Sequence, residues 1–287
     1  MNEMRVAEYI TWVLTQGRYT VSLSEIEANV SGSHKAVLQS LYRLKQKKRI
    51  VQLRKTFYGI IPPHYASMGT IPGMLFIDDL MQFLQKKYYV AFYSAAALHG
   101  AAHQQPMSLE IITEPPAIRP VYGQKQMISF FTKTNWPAKG IEPIKNEAGY
   151  VQVSGPALTL FDLIRYHRKL GGLSRMVPVL DELTDEVNVA QFNTLARKAS
   201  TATLQRLGYM LQILEKGKLT NSVFHILQHR KTQQIPLSLA HAFSNGHVNN
   251  QWNIVVNKNK AGTDFISPVS NSSVYVDSVS AMVLYRL

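Results

Sequence analysis

The chain contains no cysteine. Disulfides, thiolate zinc sites and cysteine nucleophiles are thereby excluded. It also lacks any apolar run near the ~18 residues that read as a membrane-spanning helix, so no membrane partner is expected. The opening stretch MNEMRVAEYI places Glu3, Arg5 and Glu8 where a signal peptide would be apolar, which predicts a cytoplasmic protein. Neither a GxGxxG nor a GxxxxGK[ST] phosphate-binding loop occurs. The most informative gap concerns charge. No Asp or Glu lies between Glu27 and Asp78.

What fills that gap is basic. Residues 33–60 read SHKAVLQSLYRLKQKKRIVQLRKTFYGI, with eight Lys or Arg. The whole chain of 287 residues carries a formal net charge of +13, which argues for an anionic partner, nucleic acid first. At 46% hydrophobic and 17% charged residues it is not a disordered chain, and its length predicts two or three domains.

The spacing of Val6, Tyr9, Ile10 and Val13 predicts a first helix stopped by Gly17. A short second helix over 25–30 would be capped by Ser24, and a third, capped by Ser33, would run to about Lys47 with Val37, Leu38, Leu41 and Leu44 inward. Alternation at Val51, Leu53, Phe57 and Ile60 predicts a hairpin, ended by Pro62-Pro63. Three helices and a basic hairpin make the winged helix-turn-helix pattern, whose third helix can enter the DNA major groove. The expected contacts are Lys35, Gln39, Tyr42, Arg43 and Gln46 on the outer face, and Lys45, Lys47, Lys48 and Arg49 at the helix end. Arg54, Lys55 and Tyr58 would add contacts from the hairpin. A solvated basic helix is the plainer alternative, since helix C-termini favour Lys and Arg. That accounts for Lys47 and Lys48, but not for Arg54, Lys55 and the missing acids.

The fold class expected is α+β. A winged helix at 1–70 precedes a larger domain at 71–287, in which 71–153 is mixed α/β and 154–287 mostly helical. Helices are predicted over 74–87 and 88–102, the second capped by Ser94. Strands follow at 108–113, 127–132 and 150–153, then a helix from Pro156 to Gly171-Gly172 and about four helical segments over 174–230. QWNIVVN predicts a late strand, and the tail after Pro268 is left unassigned. Candidates for chemistry are sparse. His225 and His229 have an i, i+4 spacing that His241 and His247 could join, but no HExxH glutamate lies between them. His99 reads as a helix end, and Asp78-Asp79 as a helix start. Asp162 lacks the Glu-x-Lys follower of a metal-dependent nuclease, and Glu142 to Lys145 has the wrong spacing. Asp181, Glu182, Asp185 and Glu186 read as a solvated helix face. No catalytic residue, metal site or cofactor is expected.

RKTFYGI, YYVAFYSAAALHGAAHQQP, PALTLFDLIRYHRKLGG and WNIVVNKNKAGTD, in that order, resemble the AbiEi family of antitoxins from type IV toxin–antitoxin and abortive-infection systems of phage defence. The resemblance covers roughly residues 3–265. It implies an amino-terminal winged helix that represses its own operon through inverted repeats. It also implies a larger part that counteracts a nucleotidyltransferase-like toxin without a stable complex. The family's DNA-contacting positions fall here on Lys35, Arg43, Lys45, Lys48, Arg54 and Lys55. The rivals are a winged-helix regulator sensing a small ligand and, further off, a nucleic-acid-processing enzyme.

Overall fold

The computed structural model describes residues 4–101, 107–122, 127–238 and 246–257. By contact density the chain divides into two compact units, residues 1–155 and 156–287, and not at residue 70.

The first unit starts with α1 (Val6–Thr15), β1 (Thr20–Ser22), α2 (Leu23–Asn29), α3 (His34–Gln46), β2 (Ile50–Arg54) and β3 (Phe57–Ile60). This is the helix–helix–helix–hairpin order the sequence predicts, with one short strand added. β1 joins the hairpin as a third antiparallel strand in the order β1-β3-β2. Ser33 caps α3, its Oγ accepting the Ala36 N–H at 3.3 Å. The cap of α2 is Ser22, whose Oγ accepts the Glu25 N–H at 3.1 Å, and not Ser24. The helix therefore begins two residues early, which lets Leu23 join the core.

Next come α4 (Ile77–Phe83), β4 (Tyr88–Val90), α5 (Phe92–Leu98), β5 (Ser108–Thr113), β6 (Val121–Tyr122), β7 (Met127–Thr132), β8 (Ile141–Asn146) and β9 (Gly149–Ser154). They build a mixed six-stranded sheet in the order β6-β7-β5-β4-β9-β8. The single helix expected over 88–102 is corrected here. Tyr88–Val90 is a strand paired with β5 and β9, as suits aromatic and β-branched residues buried on both faces. Ser94 lies inside α5 rather than capping it, and its hydroxyl bonds the Ser108 carbonyl at 3.1 Å. Asp78 and Asp79 do sit in the first turn of α4. Asp78 accepts the Tyr88 hydroxyl at 2.7 Å, and Asp79 accepts the Thr20 hydroxyl, tying β1 to α4.

Two apolar cores lie on either side of the hairpin. Ile50, Tyr58 and Ile60 face a core built with α1, α2 and α3. Leu53 and Phe57 face a second core with Ile71, Phe76, Leu80, Ile111 and Val153, and Ile61 just beyond β3 joins it. Phe57 and Tyr58 are neighbours that point to opposite faces, as strand geometry requires, and both are buried. Gly59 is the close-packed point: a Cβ there would lie 3.1 Å from Ile71 Cδ1 and Val51 Cγ1. Removing residues 1–70 would strip Leu53, Phe57 and Ile61 from the second core.

The second unit carries α6 (Pro156–Tyr166), α7 (Val177–Asp185), α8 (Val189–Ala196), α9 (Thr201–Ile213) and α10 (Gly217–Gln228). β10 (Ile235–Pro236), β11 (Gly246–Asn249) and β12 (Ile254–Asn257) form a small sheet in the order β10-β12-β11. The unassigned tail lies outside the described residues. Gln205 and Arg206 of α9 are buried and donate to carbonyls: Gln205 Nε2 to Gln233 and Trp252 at 2.9 Å each, Arg206 to Leu237 at 3.1 Å and Pro236 at 2.9 Å. Among the described residues no helix is long and apolar enough to cross a membrane.

Two outcomes follow for the second unit. A Cβ on Gly208 would come within 2.2 Å of the Trp252 ring. Gly→Ala inside an exposed helix gains about 1 kcal/mol; here the overlap should reverse the sign, and G208A should cost about 1–3 kcal/mol, read as a fall in Tm. His167 is buried, and its Nδ1 donates to the Ile164 carbonyl at 2.7 Å. Its Nε2 meets no partner among the described residues. Burial, aided by the Arg206 and Arg168 charges and opposed by the bond to Ile164, holds its pKa below the usual histidine value. The unfolded chain therefore takes up a proton below pH ~6.5 that the folded chain refuses. Stability should fall as pH drops through that value, flattening below the folded pKa, and H167Q should narrow the difference in urea midpoint between pH 7.5 and 5.5.

Candidate nucleic-acid interface

Val37, Leu41 and Leu44 of α3 are buried at i, i+4 and i+7. That register turns Lys35, Gln39, Tyr42, Arg43 and Gln46 outward, and all are exposed. Leu38 departs from expectation. It is 39% exposed, lying beside Tyr42, which is 64% exposed. Its position one residue past Val37 rotates it about 100° off the core-facing line. The outer face is thus a mixed strip: Lys35, Leu38, Gln39, Tyr42, Arg43 and Gln46. Arg and Gln can make paired hydrogen bonds to guanine and adenine edges, and an apolar side chain can meet the thymine methyl. Leu38 is the residue that sequence reasoning missed; an apolar residue next to an apolar one looks like core until the phase is fixed.

Lys45, Lys47, Lys48 and Arg49 are exposed at the helix end. Among the described residues, Lys35, Arg43, Lys47 and Lys48 meet no carboxylate. Lys45 Nζ reaches the Gln52 side chain at 3.4 Å, and Arg49 bonds the Thr11 hydroxyl at 2.9 Å. Lys48 ends the helix at φ 53°, the left-handed region that favours glycine or asparagine. A lysine there, unlike a glycine, holds a left-handed backbone at some cost to the fold.

The hairpin behaves differently. Tyr58 is 7% exposed and belongs to the helical core, so it offers no face to a duplex. Burial raises its phenol pKa. Alternation alone could not reveal this, because the strand is covered on both faces. Arg54 is also withdrawn: it donates to the Arg119 and Pro120 carbonyls and lies 5.9 Å from the centre of the Phe130 ring. Burial lowers its pKa. Beside it, Phe57 stacks on Phe83 at 4.6 Å. Only Lys55 of the three expected hairpin contacts remains exposed.

The other candidates do not converge. His225 is exposed on α10 and His229 just past its end, and His247 is exposed on β11; His241 lies outside the described residues. Among the described residues no three His, Asp or Glu side chains are grouped to hold a metal. His99 Nε2 lies 2.7 Å from the Ser154 carbonyl at the end of α5.

The described residues thus form a two-unit α+β protein with a basic, acid-free outer face on α3. Residues 89–213 match the family model of the AbiEi antitoxin C-terminal domain. No protein with a curated description matches the chain. Among solved structures, the RV2827C protein from Mycobacterium tuberculosis shares the architecture: 17% identity, TM-score 0.63, covering 87% of this chain and 90% of that one. An antigenic nucleotidyltransferase-like protein from Paracoccidioides brasiliensis shows a distant, partial likeness, at 10% identity and TM-score 0.35 over 52% of this chain and 89% of its own.

The strip and the helix end should divide their work. R43A should cost about 1–3 kcal/mol on the preferred sequence and relax preference at one base pair. K48G should weaken binding to all sequences alike while raising Tm, since glycine relieves the left-handed strain. Y58F should leave DNA affinity unchanged. Fluorescence anisotropy with specific and scrambled duplexes, paired with thermal melts, reads all three.

Proposed function

We propose that residues 4–61 form a winged helix whose α3 reads the major groove, and that the protein is an antitoxin repressing its own operon through inverted repeats. The observation that carries this reading is the exposed face of α3, where bidentate-capable and phosphate-seeking side chains are set side by side without a carboxylate. Lys35, Lys45, Lys47 and Lys48 are the cations offered to phosphates, Lys55 adds a fifth from the hairpin tip, and Arg43 is kept for a base edge. Arg49 sits at the margin, turned partly toward Thr11. Two copies would occupy the two half-sites, whether or not they meet off DNA.

The antitoxin family supports the second activity, neutralising a cognate nucleotidyltransferase-like toxin without a lasting complex. A regulatory role fits better than catalysis, and no cofactor is invoked. The protein would act in the cytoplasm, where its operator and toxin lie.

Because the hairpin shares its core with the sheet, the two activities are best separated by surface charge rather than truncation. The triple variant K35A/R43A/K48A should lose operator binding yet still rescue growth when the toxin is expressed from an unrelated promoter. For the unmodified protein, log K against log salt should slope at about −4 to −5, as about five neutralised phosphates require. A flat salt dependence would remove DNA binding from the reading. Loss of rescue in a folded triple variant would place the helical face in neutralisation itself.

A further inference from the structure

Protein interiors rarely leave voids much larger than a water molecule. The first unit nevertheless holds a cavity of about 310 Å³ beneath β2, between the end of α3 and the β6–β7 side of the large sheet. That volume reaches the lower end of the range for small-molecule sites. Its walls divide by chemistry. Leu53, Ile71, Val121 and Ile128 line it and are buried. Lys45, Lys48 and Gln52 also line it and are exposed, so they form its mouth. Among the described residues that line it there is no carboxylate. The wall is braced, because Arg54 at the end of β2 grips the carbonyls just before β6 and rests on Phe130 of β7.

We infer that this cavity binds a small anionic amphiphile, with its apolar body against Leu53, Ile71 and Ile128 and its anionic head at Lys45 and Lys48. Those two lysines are also among the cations offered to DNA. An occupant that neutralises them withdraws two phosphate partners from the interface, so the ligand and the duplex compete for the same charges. This second part rests on the DNA-binding reading; the binding site itself does not. The coupling needs no large movement. It is reciprocal, so DNA must weaken the ligand by the factor by which the ligand weakens DNA.

Octanoate serves as the probe, with octylamine as its cationic counterpart, each titrated into the full chain by calorimetry. Octanoate should bind saturably at one site, and octylamine at least tenfold more weakly. K45Q/K48Q, both at exposed positions, should weaken octanoate at least fivefold, and I71W should fill the space and abolish binding. Saturating octanoate should make the slope of log K for DNA against log salt shallower by about 2, near 0.9 per lysine withdrawn. Absence of saturable binding, or equal binding of octylamine, would overturn the site, as would a K45Q/K48Q variant that binds octanoate like the parent. Should I71W fail to fold, that surface variant still decides. Octanoate binding with the expected pattern by a protein without DNA affinity keeps the site and removes the DNA reading; DNA binding with an unchanged salt slope under octanoate removes the coupling alone.

Discussion

The first unit depends on one constraint, the burial of β3 on both faces, with Ile50 and Leu53 of β2 turned inward beside it. A hairpin with one wet face would hold a helical bundle on one side and leave the other free to touch DNA. Here Tyr58 and Ile60 complete the core under α1, α2 and α3, while Leu53 and Phe57 complete the core of the sheet. Burying each such side chain contributes about 1.5–3 kcal/mol, so neither core can release the hairpin cheaply. Gly59 allows the tight approach of Ile71 that makes this possible. The contact boundary accordingly falls at residue 155 and not after the hairpin.

Much of this unit was legible in the sequence. The 3.6-residue spacing of Val37, Leu41 and Leu44 fixes the helix phase, and with it the outward set from Lys35 to Gln46. Ser33 caps the third helix through the chemistry expected of it. The runs at 108–113, 127–132 and 150–153 became strands within a residue of their expected bounds. What stayed hidden has common causes. β4 is three residues long and flows into α5 without a polar break, so its strand character exists only through pairing with β5 and β9. β8 carries Pro143 and Lys145, which read as loop, yet it pairs with β9 at the sheet edge, where such residues are tolerated. Tyr58 and Arg54 looked like surface because a period of two identifies a strand but not what covers each face.

The basic face shows a related asymmetry. Composition and the acid-free stretch pointed to an anionic partner, and the structure sorts the cations by what each one touches. Arg54 serves carbonyls and an aromatic ring, Arg49 a hydroxyl, while Lys35, Arg43, Lys47 and Lys48 meet no carboxylate among the described residues. Charge alone could not have separated these groups, because a guanidinium holding up a loop and one awaiting a phosphate look identical in a sequence.

The shared hairpin also bears on the architecture of any operator. A helix presented by a loosely tethered module can track half-sites at several spacings, because the tether absorbs the change. α3 has no such slack: its supporting strands are pinned by Phe57 on Phe83 and by Arg54 on the segment ahead of β6. Each bound copy would carry residues 4–155 around the duplex as one piece. Inserting about half a helical turn, ~5 bp, between half-sites would swing one copy to the opposite side of the DNA. The spacing of the repeats, as much as their sequence, would then define which promoters the protein can silence.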